Sequence, residues 1–328
     1  MFKFKTSSIA LAMLASVAIA PAQAAPVASA AAVVSFENFQ ISWVNLARQV
    51  NAATDFSSLS VSASQLTAAN LTGLSGVSMN PSSNSAAPTK ALSSLGVVDP
   101  SLNSSGGFGA ITTSQAFNVP TLPMVGNFSL SASNDTGSPI ANFPTGAPVT
   151  ANADLHNASY ASLDTLNGSA GTSSSSQLAS TQFFQSNVDG DNLRFSFDLG
   201  TYIGAFLSAG AAQTASAGWD ITFTLLNTTN SSLALFRTFG DNISNNAPGS
   251  GTIQTGFTNS SIAGGFANTS PVSFVSGPII AGNRYQLTAT ISTRTQVERQ
   301  DVPEPGALAL VGLALAALGI TRRYQKRA

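Results

Sequence analysis

Asn187, Asp189, Asp191 and Asp198 occupy the first, third, fifth and twelfth places of a window whose spacing matches the oxygen ligands of an EF-hand calcium loop. Two features oppose that chemistry. The sixth place, which the sharp turn of that loop reserves for glycine, is Asn192. Asp198 falls inside Leu193 to Leu199, an alternating run that reads as a strand where the motif requires a helix. Asn, Asp and Gly in close succession also make an ordinary hairpin turn. We read Asn187 to Asp191 as such a turn and assign no metal or other cofactor. A calcium (Ca2+) site outside the EF-hand class, built from Asn187, Asp189 and Asp191, is the competing reading.

Acid–base chemistry has few candidates. His156 is the one histidine, and cysteine is absent, which removes thiol catalysis and thiolate metal sites. A serine nucleophile would have to recruit His156, flanked by Leu155 and Asn157, and no Gly-x-Ser-x-Gly elbow accompanies it. Between the two terminal segments described next, the glutamates are Glu37 and Glu298, one near each end, and no aspartate pair stands out for glycoside hydrolysis. We expect a non-enzymatic protein. For sugar binding, Trp219 and Tyr285 sit among Ile and Leu on strand faces and read as core, which leaves Trp43 and Tyr202 as the candidate contacts, with a role outside sugar binding the favoured reading. Asn-x-Ser/Thr sequons occur at eleven positions, Asn70, Asn157, Asn227 and Asn242 among them.

The termini carry recognition chemistry of another kind. Lys3 and Lys5 precede an apolar run, Ile9 to Ala20, and then Ala22-Gln23-Ala24, which places small residues where a signal peptidase reads them. Residues 1–24 therefore read as a secretory signal peptide cut after Ala24. At the other end Pro303, Glu304 and Pro305 precede the uncharged stretch Gly306 to Ile320 and the basic residues Arg322, Arg323, Lys326 and Arg327. The prolines lack backbone donors and hold the triplet extended for a recognition groove. The basic cluster keeps the end of an inserted helix in the cytoplasm. Fifteen residues at about 1.5 Å each span roughly 22 Å, short of a hydrocarbon core of about 30 Å, so the helix suits a transient anchor.

This arrangement, from Val302 to Arg327, resembles the PEP-CTERM sorting signal. The resemblance implies processing by an exosortase, after export by the secretion machinery and signal peptidase and a transient stay in the inner membrane. It further implies a final place at the cell surface, outer membrane or extracellular matrix, with a structural or adhesive role linked to exopolysaccharide and biofilm. A secreted carbohydrate-binding module is the alternative. Ala281 to Ile291, a Gly/Asn turn leading into a Tyr-x-Leu-Thr strand, is loosely similar to the β domain of other proteins with this signal, and transfers no functional residue.

Between Ala25 and Pro303 there are seven basic and thirteen acidic residues, a net charge of −6. Charged residues are only 8% of the chain, about a third of common usage, and Ser, Thr, Asn, Ala and Gly replace them. Such an ectodomain has no electrostatic footprint for nucleic acid.

The elements that position these residues are strands. Leu193, Phe195, Phe197 and Leu199 alternate with polar residues, as do Trp219, Ile221, Phe223 and Leu225, and Tyr285, Leu287, Ala289 and Ile291. We expect an all-β fold, an antiparallel β-sandwich or jelly-roll-like ectodomain, flanked by the signal peptide and a single transmembrane sorting helix. Phe36 to Leu46 reads as an opening strand. The expected organisation is a Ser/Ala/Asn-rich region at 25–180, of short strands or partly disordered. A β region follows at 181–295, joined to the first or separate from it, then a linker at 296–302 and the sorting signal at 303–328.

Overall fold

Alternating apolar and hydroxyl side chains, with almost no helix-period pattern, leave the backbone to satisfy itself between strands. The computed structural model describes residues 27–50, 52–73, 78–80, 84–85, 89–96, 98, 102, 120, 122–135, 155–164, 170–208, 212–245, 253–255, 270–300 and 312. The strands in chain order begin with β1 (Ala28–Trp43), β2 (Arg48–Gln49), β3 (Phe56–Thr72), β4 (Ser78–Asn80), β5 (Asn84–Ser85) and β6 (Thr89–Leu95). Next come β7 (Asn127–Asp135), β8 (Leu155–Leu163), β9 (Ala170–Ser186), β10 (Asn192–Leu207) and β11 (Ala212–Asn227). The last are β12 (Ser232–Asn245), β13 (Ile253–Thr255), β14 (Ser270–Pro278) and β15 (Arg284–Gln300), and a single helical turn, α1 (Ala52–Asp55), precedes β3.

All pairings among the described residues are antiparallel, in two sheets. The first runs β13-β10-β1-β8-β7-β6-β4, with β14 also on β10 and β2 on β1; the second runs β12-β11-β15-β9-β3-β5. The all-β, antiparallel expectation holds. The two halves of the chain are interleaved: β1 lies between β8 and β10, and β3 lies beside β9 in the other sheet. The boundary read at 180 falls inside β9, and the described residues of 51–180 supply strands to both sheets. Residues 296–300, read as the start of a linker, are the last residues of β15, paired with β11 through Gln300.

β1 begins eight residues before the expected Phe36. Its first half, Ala28 to Val34, is buried on both faces, and a strand buried on both faces reads as a continuous apolar run without alternation. Ala28, Ala30, Ala32 and Val34 face the second sheet. A register shift between Glu37 and Gln40 then brings Phe39, Ile41 and Trp43 onto that same side. Here they meet Phe197, Phe223 and Phe274. Phe223 lies 6.3 Å from Phe39, 5.4 Å from Phe197 and 5.0 Å from Phe274, ring centre to ring centre. The expected faces of β10, β11 and β15 all enter this shared core.

Toward β7 and β8 the layer between the sheets turns polar. Asn157 donates to the Ile291 carbonyl at 2.8 Å, Ser159 lies 2.9 Å from the Thr293 hydroxyl, and Ser131 donates to the Ala68 carbonyl at 3.0 Å. The other face of β1, β7 and β8 carries a second apolar layer. Ala31, Val33, Phe128, Leu130, Ala158 and Tyr160 pack there with Leu102, Met124 and Tyr202.

Candidate functional site

The carboxylates of the 187–191 loop are turned toward backbone donors. Asp191 is almost wholly buried; its Oδ1 accepts from the Asn45 and Asn192 amides at 2.8 and 2.7 Å, and its Oδ2 from the Leu46 amide at 3.0 Å. Burial opposes the charge, yet these amides and that of Val44 outweigh it and hold the carboxyl below its ordinary value. Asp189 accepts from the Ala281 amide at 3.2 Å, and the Asn187 side chain donates to the Thr54 carbonyl at 3.0 Å. Gly190, at φ +71°, gives the left-handed residue that the loop needs. Asn187, Asp189 and Asp191 thus fasten the loop to the β1–β2 turn, α1 and the β14–β15 turn. Asp198 is in mid-strand, opposite Glu37 and Pro271. No group of three or more His, Cys, Asp or Glu residues able to hold a metal occurs among the described residues.

Beside this loop Asp55, buried at the end of α1, accepts from the Trp43 indole at 2.8 Å and from both terminal nitrogens of Arg48 at 2.8 and 2.6 Å. The paired contact holds the Arg48 proton more tightly than usual. Trp43, left open from sequence as a candidate sugar contact, is therefore a core residue with its polar edge satisfied. Tyr202, the other such candidate, is buried as well, in the second apolar layer. Trp219 and Tyr285 are core residues, as read.

His156 on β8 faces Ser35 on β1, with Nδ1 3.0 Å from the serine hydroxyl. Both are buried, and burial lowers the histidine pKa to about 4. The ring is neutral at physiological pH and almost wholly covered. Two sequons are closed as well: Asn157 and Asn227 are buried.

The outer face of the second sheet is where polar groups converge in the open. Along β15 the buried Ile291, Thr293, Thr295 and Val297 alternate with the outward Ser292, Arg294, Gln296 and Glu298. Register aligns Arg294 with Gly218 on β11, which pairs with Asn242 on β12, and aligns Gln296 with Ser216, which pairs with Ser244. On the far side of β9, Asn70 of β3 lies in the same row. These residues line a trough of about 580 Å³, whose lining comes from β3, β11, β12 and β15. Asp220 Oδ1 accepts from the Arg294 guanidinium at 2.8 Å, and its other oxygen accepts from the Ser292 hydroxyl at 2.6 Å. Gly218 makes room for this arrangement. A Cβ there would come within 3.1 Å of the Asn242 Cβ and 3.3 Å of the Arg294 Cζ. From the sequence Asn70 and Asn242 stand out only as sequons and the others not at all, because each is only the polar half of a strand alternation. Their convergence depends on register between strands far apart in the chain.

The terminal recognition residues, Ala22, Ala24, Pro303, Glu304, Pro305, Arg322, Arg323, Lys326 and Arg327, lie outside the described residues, as does the expected sorting helix apart from Gly312. Among the described residues no helix is long and apolar enough to cross a membrane. Residues 301–323 match the family model of the PEP-CTERM protein-sorting motif, beginning one residue after β15 ends. A chain bearing this motif is an exported protein, processed by exosortase and anchored transiently in a membrane. No curated protein matches the chain. Among solved structures it is similar to a chain of infectious bursal disease virus Gt strain, at 13% identity and a TM-score of 0.09, covering 92% of this chain and 90% of that one. A chain of the Gx strain gives 12% identity and a TM-score of 0.08, covering 94% and 79%. Neither bears on the fold or the function.

Proposed function

We propose that this protein is a non-enzymatic structural or adhesive component of the cell surface or extracellular matrix, presenting a β-sandwich ectodomain and working in association with exopolysaccharide in a biofilm. The observation that carries the reading is the sorting motif at 301–323, which follows directly on the last strand. The burial of His156 and the use of Asp189 and Asp191 as backbone acceptors support a role without catalysis or a bound metal. The ectodomain's hydroxyl- and amide-rich composition supports a role among hydrated polymers.

The test is genetic. Replacing Pro303, Glu304 and Pro305 together with Ala should leave the precursor in the inner membrane, measured by fractionation and by mass spectrometry of the C-terminus. Normal maturation and surface delivery of that variant would overturn the sorting role. A wild-type protein that matures but is recovered free of cells and matrix would overturn the structural role alone.

A further inference from the structure

We propose that the trough on the outer face of the second sheet is a binding site for a strand of uncharged polysaccharide, an inference that rests on the matrix role above and locates it. Asn70 and Asn242 each carry an amide with donors and an acceptor, Gln296 keeps its acceptor and one donor beyond the hydrogen it gives to Glu298, and Ser216 and Ser244 add hydroxyls. A polyol needs this mixture, because every sugar hydroxyl both gives and takes a hydrogen bond. The lining exposes polar and apolar surface in nearly equal measure, Ala68 and Ala69 among the latter, which suits a sugar ring with hydroxyl edges and C–H faces.

Charge selects among polymers. The one cation in the lining, Arg294, is matched by Asp220, and Gln296 donates to Glu298 at 2.6 Å, so the trough has no net positive charge. The ectodomain around it carries −6. A polyanionic chain would be repelled, whereas a neutral one loses nothing by entering. Arg294 still has donors beyond the nitrogen held by Asp220, and the missing side chain at Gly218 leaves the guanidinium lying against the sheet. A donor fixed by its neighbours loses little freedom when it binds.

Shape points to a polymer. Its lining residues on β3 and β12 stand four strand spacings apart, roughly 19 Å at about 4.8 Å each. The volume of about 580 Å³ is within the range of ligand sites of about 300–1,000 Å³. The trough is partly open to solvent, so a chain can reach it without threading.

The full-length protein in mild detergent is run on nondenaturing gels cast with dextran, with a neutral β-glucan, or with alginate. The expected result is retardation by at least one neutral glucan, weaker retardation by alginate, and no loss of binding on adding salt. N70A/N242A/Q296A, whose three sites are exposed, should weaken binding at least tenfold with an unchanged melting temperature. S216W should abolish it by filling the trough, and T238A, on the same sheet but outside the lining, should bind as wild type. Undiminished binding by both trough variants would overturn the site while leaving the matrix role in place. Stronger binding to alginate, or no retardation by either neutral glucan, overturns the proposal. Loss of surface delivery, read separately by fractionation, would count against the matrix role and not against the trough.

Discussion

His156 makes the fold sensitive to acid at a predictable point. Burial keeps its ring neutral down to about pH 4, whereas in the unfolded chain it takes up a proton near 6.5. Between those values the unfolded state binds more protons, so each step down in pH favours unfolding. The contribution of His156 is intact above about pH 6.5 and falls by about 3 kcal/mol by pH 4. Asp191 acts in a separate, lower window. Its folded value is depressed, so its contribution is present above the ordinary carboxylate value and is lost only as pH falls through the lower folded one. Melting temperature measured from pH 7 to 4 should therefore decline in the wild type and stay nearly flat in His156→Gln, which retains an acceptor for Ser35. An equal decline in both would mean that His156 does not set the acid response. Asp191→Ala should destabilise at neutral pH by about 1–3 kcal/mol, because three partly buried amides lose their charged acceptor. Chelator or added calcium should leave the wild-type melting temperature unchanged. A rise on adding calcium that Asp189→Ala abolishes would restore the metal-site reading for this loop.

Strands whose two faces differ could be read from the sequence, and strands whose faces match could not. Leu193 to Leu199, Trp219 to Leu225 and Tyr285 to Ile291 each set a large apolar side chain against a hydroxyl or a charge, and each buries the expected face. β1 begins Ala-Ser-Ala-Ala-Ala-Val-Val, too uniform for a period to show, because both of its faces are covered. β7 and β8 alternate Ser and Asn with Phe, Leu, Ala and Tyr. Their polar halves face the second sheet and hydrogen-bond across it, which inverts the usual rule that the polar face is the wet one. The aromatic candidates Trp43 and Tyr202 failed for a related reason, since an indole or phenol near a polar partner reads the same whether that partner is solvent or a buried Asp55. Packing gives the test at this scale. Phe197→Ala and Phe223→Ala should each cost about 3–5 kcal/mol. Phe128→Ala should cost a comparable amount, because Phe128 is as deeply buried in the second apolar layer. Phe108, in the same Ser/Asn-rich half, lies outside the described residues. Urea denaturation of the full-length chain measures all three. A Phe128→Ala cost under about 1 kcal/mol would show that this layer contributes little to the fold.

At the scale of the whole molecule the interleaved topology decides what can be cut away. A fragment of residues 181–300 would keep β10 to β15 and the end of β9, enough residues for a small domain by size alone. It would lose β1 from the side of β10, β3 from the side of β9, and β7 and β8 from the face of the second sheet. The core face of β11, with Trp219, Ile221, Phe223 and Leu225, would lose the cover that β1 supplies, Phe39 against Phe223 included, and keep only that of β10 and β14. Each large side chain uncovered forfeits up to about 1.5–3 kcal/mol, so several together are comparable with the roughly 5–15 kcal/mol that holds a typical domain. With no disulfide to hold the remainder, the fragment should show no cooperative thermal transition and should aggregate, while co-refolding with residues 25–180 should restore a single transition. A cooperative melt by 181–300 alone would mean that the second sheet is stabilised from within and that β1 and β3 are additions to a complete fold. The expected failure would tie sorting to folding, because the motif beginning at residue 301 follows a strand that is held in place only when both halves of the chain have come together.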